Sequence, residues 1–263
     1  MTRPEIVAAL GALDDLTRRL RIECPWDREQ DERSIVPHTV EEAYELADAA
    51  NAGDDAKLLD ELGDVLFQVH FLSLLMEERG AGDLAAVAEH CRQKLIRRHP
   101  HVFGDAEARD AAQVLRNWDA IKSGEPGRES GIFGEVPENL PGPLLARKVQ
   151  RRAASSGFDL EGVDGPLSAL HAGLEQLEAA AEADGRETAF EAVGDVLFAA
   201  VNVARKLKVD PELALRASSG RFRERVEAAE QLAEHAGERW DALPFEAQLR
   251  FYANAALIKE NES

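Results

Sequence analysis

Apolar residues recur at helical spacing along most of this chain, and that periodicity limits the possible folds more than any other feature. The N-terminal segment shows it well, because one stripe of an amphipathic helix would carry Ile6, Leu10, Leu13, Leu16 and Leu20. The composition agrees, since Ala, Leu and Glu recur throughout and aromatic residues make up only 6%. The sequence therefore predicts an all-α fold.

The same spacing predicts four helices in the first half of the chain. They cover residues 5–20, Thr39 to Asn51, Lys57 to Arg79 and Leu84 to Arg98. Thr39 is predicted to cap the second helix, with Glu42 as its capping-box partner. The third helix is apolar on most faces, which predicts a central position in its unit.

A segment rich in Gly and Pro, residues 123–143, divides the chain, because it forbids a continuous helix and lacks strand alternation. We interpret it as a linker between residues 1–122 and residues 144–263. The second part repeats the first: Gly-Asp-Val-Leu-Phe at 63–67 recurs 131 positions later at 194–198. Weaker sequence similarities relate residues 25–27 to 157–159 and residues 94–98 to 221–225. Three echoes in the same order favour a tandem repeat of helical units.

The charge of the chain limits its partners. A formal net charge of −19 repels nucleic acid and anionic membranes. The most apolar run, residues 62–76, is too short and too polar to span a bilayer. Cys24 and Cys91 lack CxxC spacing, and the N-terminal residues are too acidic for a signal peptide. We expect a soluble cytoplasmic protein with no nucleic acid and no membrane partner.

Four acidic residues are spaced so that they can share one site. Glu42 and Glu45 lie on one face of a helix, and Glu61 and Asp64 do so on the next. A short turn makes these helices antiparallel neighbours, so the two pairs can converge. Facing carboxylates repel one another unless cations lie between them, and such oxygen ligands select Mg²⁺ or Mn²⁺. The pattern alone leaves two interpretations open, a metal site and a charged helix surface, because the chain has 50 acidic residues.

Other kinds of site are disfavoured by the motifs. A di-iron carboxylate bundle needs Glu-x-x-His pairs, and none of the 7 histidines has Glu three residues before it. The sequence contains no GxxxxGK[ST], no GxGxxG and no Gly-x-Ser-x-Gly.

Basic and aromatic residues add a second candidate group. Lys94, Arg97 and Arg98 end the predicted fourth helix, where they could clamp phosphate oxygens or simply complement the helix dipole. Trp26 and Trp118 could stack on a nucleobase or belong to the core.

Taken together, these motifs resemble the MazG family of nucleoside triphosphate pyrophosphohydrolases. The resemblance runs through Cys-Pro-Trp-Asp at 24–27, Glu-Glu-x-x-Glu at 41–45, Glu-x-x-Asp at 61–64, residues 94–103 and residues 117–122. Residues 148–153 and 157–159 continue it beyond the linker, so that it covers nearly the whole chain. The combination of these motifs is far more specific than the acidic motif alone.

The resemblance implies an all-α NTP pyrophosphatase fold, with four-helix bundles assembled by dimerisation into a homodimer. It also implies Mg²⁺-dependent hydrolysis of nucleoside triphosphates to monophosphate and pyrophosphate, as nucleotide-pool housekeeping. The implied metal ligands are Glu42, Glu45, Glu61 and Asp64. Glu41 is implied as an auxiliary ligand or base, and Lys94, Arg97 and Arg98 as phosphate contacts.

The second copy departs from the family pattern at its acidic positions. With the offset of 131, the positions of Glu41, Glu42, Glu45 and Glu61 are occupied by Ala172, Gly173, Gln176 and Ala192. Only Asp195 matches its counterpart, Asp64. We therefore expect a complete carboxylate site in residues 1–122 and a degenerate, non-catalytic repeat in 144–263. Local bulging that brings Glu175, Glu178 and Glu191 inward would contradict this.

Two alternatives to an enzyme remain from the sequence. One is a catalytically inactive nucleotide- or metal-binding regulatory protein. The other is a helical dimerisation module without a ligand.

Overall fold

The computed structural model describes residues 2–123, 131–134, 136, 137, 139–183 and 185–262. These residues form α-helices, one short 3₁₀ turn and no strand, which confirms the predicted all-α fold. The helices are α1 (Arg3–Glu23), α2 (Pro25–Glu29), α3 (Glu32–Ala52), α4 (Asp55–Glu78), α5 (Leu84–Arg98), α6 (Pro100–Phe103), α7 (Ala111–Ser123), α8 (Gly142–Ser155), α9 (Asp164–Glu182), α10 (Arg186–Lys206), α11 (Pro211–His235) and α12 (Phe245–Glu262).

The chain forms two compact units, residues 1–135 and residues 136–263. The boundary falls inside the predicted linker, between the end of α7 and the start of α8. Residues 124–130, 135 and 138 of that linker lie outside the described residues. Within the described ranges, no helix is long and apolar enough to span a membrane.

The first unit is built on the antiparallel pair α3 and α4. Ile35 from α3 packs against Phe71 and Leu75 of α4, and these three side chains are nearly inaccessible to solvent. Gly53 makes the turn between the helices possible, because it adopts a left-handed conformation with φ 70° that L side chains rarely take. The short turn places the acidic segments of both helices near one another.

Helix α3 begins earlier than predicted. Asp31 caps it by accepting hydrogen bonds from the backbone N–H groups of Arg33 and Ser34. Thr39, predicted as the cap, lies inside the helix, where its hydroxyl is 3.3 Å from Gln68 Oε1 on α4. The prediction was wrong because the true capping box pairs Asp31 with Ser34 rather than with Glu or Gln, and because the helix continues through Pro37.

Helix α1 is attached to the far end of α4 by two bidentate ion pairs. Arg18 donates to both carboxylate oxygens of Glu77 at 3.1 and 2.6 Å, and Arg21 donates to both oxygens of Glu78 at 2.8 Å. Such paired Arg–carboxylate bonds fix orientation as well as distance. The C-terminal end of α4 is therefore held by both its apolar core and α1.

The second unit is built on the pair α9 and α10. Gly173 is buried in α9, and a Cβ atom there would lie 3.3 Å from Val196 Cγ2 of α10. Helix α8 joins the pair through Gln150, whose Nε2 donates to the carbonyl of Phe198 at 2.8 Å. Buried alanines, Ala229 and Ala233 on α11 and Ala255 on α12, let the last two helices pack closely.

Candidate functional site

Helices α3 and α4 bring three glutamates together in the first unit. Carboxylate oxygens of Glu42, Glu45 and Glu61 all lie within 4.8 Å of one another. Glu61 is only 4% exposed, an unusual position for an acidic side chain. Helical spacing accounts for the pairing of Glu42 with Glu45, and the short turn at Gly53 brings Glu61 to them.

The environment of this cluster disfavours the ionised form of its carboxyl groups. The pKa of Glu42 is raised above its usual value, chiefly by burial, and then by the nearby carboxylates of Asp64, Glu45 and Glu41. The cluster thus concentrates negative charge in a partly desolvated place, which a cation would relieve.

Glu61 shows the same effect with one opposing contact. Burial is the main factor that raises its pKa, and the carboxylate of Glu45 adds to it. Lys57 acts in the other direction, with its Nζ 4.0 Å from Glu61 Oε1. Sequence reasoning did not single out Lys57, although its spacing of four residues from Glu61 on a helix was a usable signal.

Asp64 stands at the open side of the cluster. It is exposed, and together with Lys57, Asp60 and Gly63 it lines a shallow, open hollow on the surface of α4. It is close enough to both Glu42 and Glu61 to raise their pKa values. The four predicted metal ligands therefore lie in one neighbourhood, with Asp64 exposed to solvent.

Glu41 and Trp26 lie beside the cluster and are linked through His38. The Nδ1 atom of His38 is 3.7 Å from Glu41 Oε2, and its ring packs edge-on against Trp26 with centroids 5.9 Å apart. The indole of Trp26 is 52% exposed, so it presents free surface. Sequence reasoning missed His38, whose signal was its position one helical turn before Glu41.

The basic residues lie at the end of α5, where one of them is enclosed. Arg98 is 8% exposed, and its Cζ atom lies 5.4 Å from the ring centroid of Trp118 on α7. The ring of His99 packs edge-on against the same indole, with centroids 4.9 Å apart. Lys94 is half-buried and Arg97 is exposed. The structure therefore joins Arg98 and Trp118 in one cation–π arrangement that the sequence did not predict.

The second unit has no comparable acidic group among its described residues. In the described part of the chain, the only group of three clustered metal-binding side chains is that of Glu42, Glu45 and Glu61 in the first unit. Glu175, Glu178 and Glu191 are all exposed. At the positions that correspond to Glu42 and Glu61, Gly173 and Ala192 are buried.

The acidic cluster lies in a region that matches a known protein family. The family model described as "MazG nucleotide pyrophosphohydrolase domain" matches residues 30–103, which hold the acidic cluster and the basic end of α5. The chain is 38% identical over 233 residues to the nucleoside triphosphate pyrophosphohydrolase/pyrophosphatase MazG of Thermotoga maritima, covering 88% of this chain and 89% of that protein. The chain belongs to the MazG family.

Other similar proteins agree. The nucleoside triphosphate pyrophosphohydrolase of Escherichia coli K12 is 36% identical over 213 residues, or 80% of this chain and 81% of that protein. The uncharacterized protein YabN of Bacillus subtilis is 37% identical over 216 residues, which cover 81% of this chain but 44% of that longer protein. Membership in the MazG family, first indicated by the motifs, is thereby confirmed.

Proposed function

We propose that this chain hydrolyses nucleoside triphosphates by cleaving the anhydride bond between the α and β phosphates. The products would be a nucleoside monophosphate and pyrophosphate. One observation carries the proposal: the carboxylates of Glu42, Glu45 and Glu61 meet within 4.8 Å in the region that matches the MazG domain. The names of the relatives from Thermotoga maritima and Escherichia coli support the same reaction class.

The acidic cluster fits a divalent cation. Oxygens that share one hard cation at about 2.1–2.5 Å lie within about 4–5 Å of one another, as the oxygens of these glutamates do. An all-carboxylate donor set favours Mg²⁺, with Mn²⁺ as a substitute. The proposed ligands are Glu42, Glu45, Glu61 and Asp64. When bound, such a cation would lower the pKa of water and offset the charge of the phosphates.

Two roles in this step belong to side chains of the protein itself. Water adds to the α-phosphorus while the bond to the oxygen bridging the α and β phosphates breaks, and pyrophosphate leaves. The exposed carboxylate of Glu41 accepts the proton of that water. Lys94, Arg97 and Arg98 bind the negative phosphate oxygens as donors.

The two tryptophans are proposed to bind the nucleobase, on different grounds. Trp26 has an exposed face beside His38, which suits stacking on a base. Trp118 already packs against Arg98, so it would bind the substrate from within that arrangement.

The proposal also covers the oligomeric state, the cellular location and the physiological role. Exposed apolar side chains on α4, among them Leu59, Leu62 and Leu66, favour pairing with a second copy in a homodimer built on four-helix bundles. The free thiols of Cys24 and Cys91 suit the reducing cytoplasm. Removal of unwanted nucleoside triphosphates, a housekeeping role, is the physiological function we propose.

The decisive experiment measures pyrophosphate and monophosphate release from a panel of nucleoside triphosphates, with Mg²⁺ and with chelator. We expect metal-dependent release of both products in equal amounts. Glu42→Gln and Asp64→Asn should each lower kcat by at least about a hundredfold, because each removes a proposed metal ligand. Glu191→Gln, an exposed glutamate in the second unit, is the matched control and should keep full activity.

Three results would count against the proposal. Release of single phosphate would mean that a different anhydride bond is cleaved. Full activity in both Glu42→Gln and Asp64→Asn would remove the site assignment. Nucleotide binding without turnover would favour a catalytically inactive nucleotide-binding regulatory protein instead.

A further inference from the structure

Lys57 is a cation beside the acidic cluster that has no part in the proposed reaction. Its ammonium Nζ lies 4.0 Å from Oε1 of Glu61, and its side chain is 52% exposed. Together with Asp60 and Asp64 it lines the open hollow on the surface of α4. The lysine therefore lies on the open side of the cluster, next to the buried carboxylate of Glu61.

The position of Lys57 is unfavourable for helix α4 itself. It lies in the first turn, where Asp54 caps the helix by accepting hydrogen bonds from the backbone N–H groups of Ala56 and Lys57. A cation there opposes the helix dipole, which favours acidic residues at an N-terminus. A Lys four residues before a Glu is also the weaker of the two orders for a helical ion pair. Local helix stability therefore does not account for this lysine.

The charges around Glu61 do account for it. Burial raises the pKa of Glu61 most, three neighbouring carboxylates raise it further, and the ammonium of Lys57 lowers it. Burial of a carboxylate costs free energy unless a cation offsets its charge. Lys57 supplies part of that offset while no metal ion is bound.

The second unit lacks both the acid and the lysine. With the offset of 131, Thr188 stands at the position of Lys57 and Ala192 at that of Glu61. Ala192 is buried and carries no charge. A lysine at position 188 would therefore have no buried carboxylate one helical turn away to balance.

The contact between Lys57 and Glu61 is weak enough to be broken by a competing cation. A separation of 4.0 Å is at the limit of an ion pair and too long for a hydrogen bond. Water screens half-exposed pairs of this kind, and they contribute little to stability. A divalent cation bound by the carboxylates would displace the ammonium, because it carries twice the charge and the two cations repel one another.

We propose that Lys57 is an internal counter-cation that competes with the divalent metal ion for the acidic cluster. It holds the carboxylate of Glu61 in the cation-free protein, and it weakens the binding of free metal ions by repulsion. Lys57 is thus a positioning residue that sets the metal concentration at which the site fills. The inference rests on the metal site of the proposed function, but it concerns binding of the free cation and not the hydrolysis step.

Lys57→Met tests the competition. Methionine has a helix propensity close to that of lysine, so the main change is the loss of one positive charge. Mn²⁺ is the probe, because electron paramagnetic resonance reads its free concentration, at pH 8 and without nucleotide. Lys57→Met should bind Mn²⁺ about threefold to tenfold more tightly than the wild type. Lys57→Arg, which keeps the charge, should bind Mn²⁺ like the wild type.

Arg19→Met is the matched control for the loss of charge. Arg19 also forms an ion pair with a glutamate four residues away, since its Nε lies 2.9 Å from Oε2 of Glu23 on α1, and both side chains are exposed. This variant changes the net charge of the chain by the same amount as Lys57→Met. It should leave Mn²⁺ binding unchanged.

Thermal unfolding gives a second measurement that does not depend on activity. Without divalent cations, Lys57→Met should unfold at a lower temperature than the wild type, because the carboxylate of Glu61 has lost its offset. Saturating Mg²⁺ should reduce or reverse this difference, because the metal ion then balances the carboxylates in both proteins.

Three results would overturn the inference. Equal Mn²⁺ affinity in Lys57→Met and the wild type, with pyrophosphate release intact, would refute the competition and leave the proposed function standing. Weaker Mn²⁺ binding by Lys57→Met would show that the lysine helps to assemble the ligands. Failure of the wild type itself to bind Mn²⁺ would overturn both this inference and the proposed metal site.

Discussion

Replacement of Gly173 by glutamate would return an acid to the position in the second unit that corresponds to Glu42. We expect this change to destabilise the second unit rather than to rebuild a site. A Cβ at Gly173 would be 3.3 Å from Val196 Cγ2 and 3.7 Å from the Val196 backbone N and Cα atoms. The side chain of Val196 can shift by a few tenths of an ångström, but its backbone moves only if α10 moves.

The expected magnitude follows from two opposing effects. Overpacking of this kind costs about 1–3 kcal/mol, and the larger glutamate belongs at the upper end because a charge is also buried. Glutamate gains about 0.5 kcal/mol over glycine from helix propensity. The net loss is about 2–2.5 kcal/mol, which lowers the unfolding midpoint of a unit of this size by about 6–9 °C.

Thermal unfolding by calorimetry, with and without Mg²⁺, measures this change. Gly220→Glu on α11 is the matched control, because a Cβ there meets nothing within 4 Å. That variant should be as stable as the wild type or slightly more stable. If Gly173→Glu is as stable as Gly220→Glu, then α9 and α10 separate easily, and the argument from close packing is refuted.

Two further predictions concern pH. Arg205, and then Lys206, lower the pKa of Asp159 from 3.8 to about 2. The stability this adds is present above pH 3.8 and is lost as pH falls towards 2. Because the carboxylate is about a third exposed and solvent screens the pair, Asp159→Asn should cost only about 0.5–1 kcal/mol in urea unfolding at pH 7 and almost nothing near pH 2. An equal cost at both pH values would contradict the ion-pair explanation. The pKa of Glu61 is raised, so its effect on stability has the opposite pH dependence: its contribution to the stability of the metal-free protein falls as pH rises above 4.5. Glu61→Gln should remove this pH dependence. It should also abolish stabilisation by millimolar Mg²⁺. A melting curve of Glu61→Gln that still responds to Mg²⁺ would remove Glu61 from the proposed ligands.

Much of the fold could be predicted from local signals. The fourth predicted helix, Leu84 to Arg98, has the observed limits, because Asp83 caps its start and Pro100 follows its end. The start of α3 could not be placed correctly, since a Pro inside a helix and a Ser at the third position of a capping box are both uncommon. Helix propensity disfavours both features, even where tertiary packing permits them.

The candidate site was predictable where its members share a helix face. Spacing alone indicated that Glu42 and Glu45 project together, and the structure places Glu61 with them. Contacts between distant segments were not predictable: Arg98 packs over Trp118 because the chain turns back through α6. The roles of all these residues in metal or substrate binding remain predictions.

The two halves of α4 differ in how firmly they are held. All its buried residues except Glu61 lie from Gln68 onward, in the half that also carries the Arg18 and Arg21 ion pairs. Backbone amides in that half should therefore exchange with solvent only when the whole unit opens, whereas those near Glu61 should exchange through local fraying. A cation bound at the carboxylates would then slow the local opening of the N-terminal half of α4. Substrate could be admitted or released there without disturbing the core.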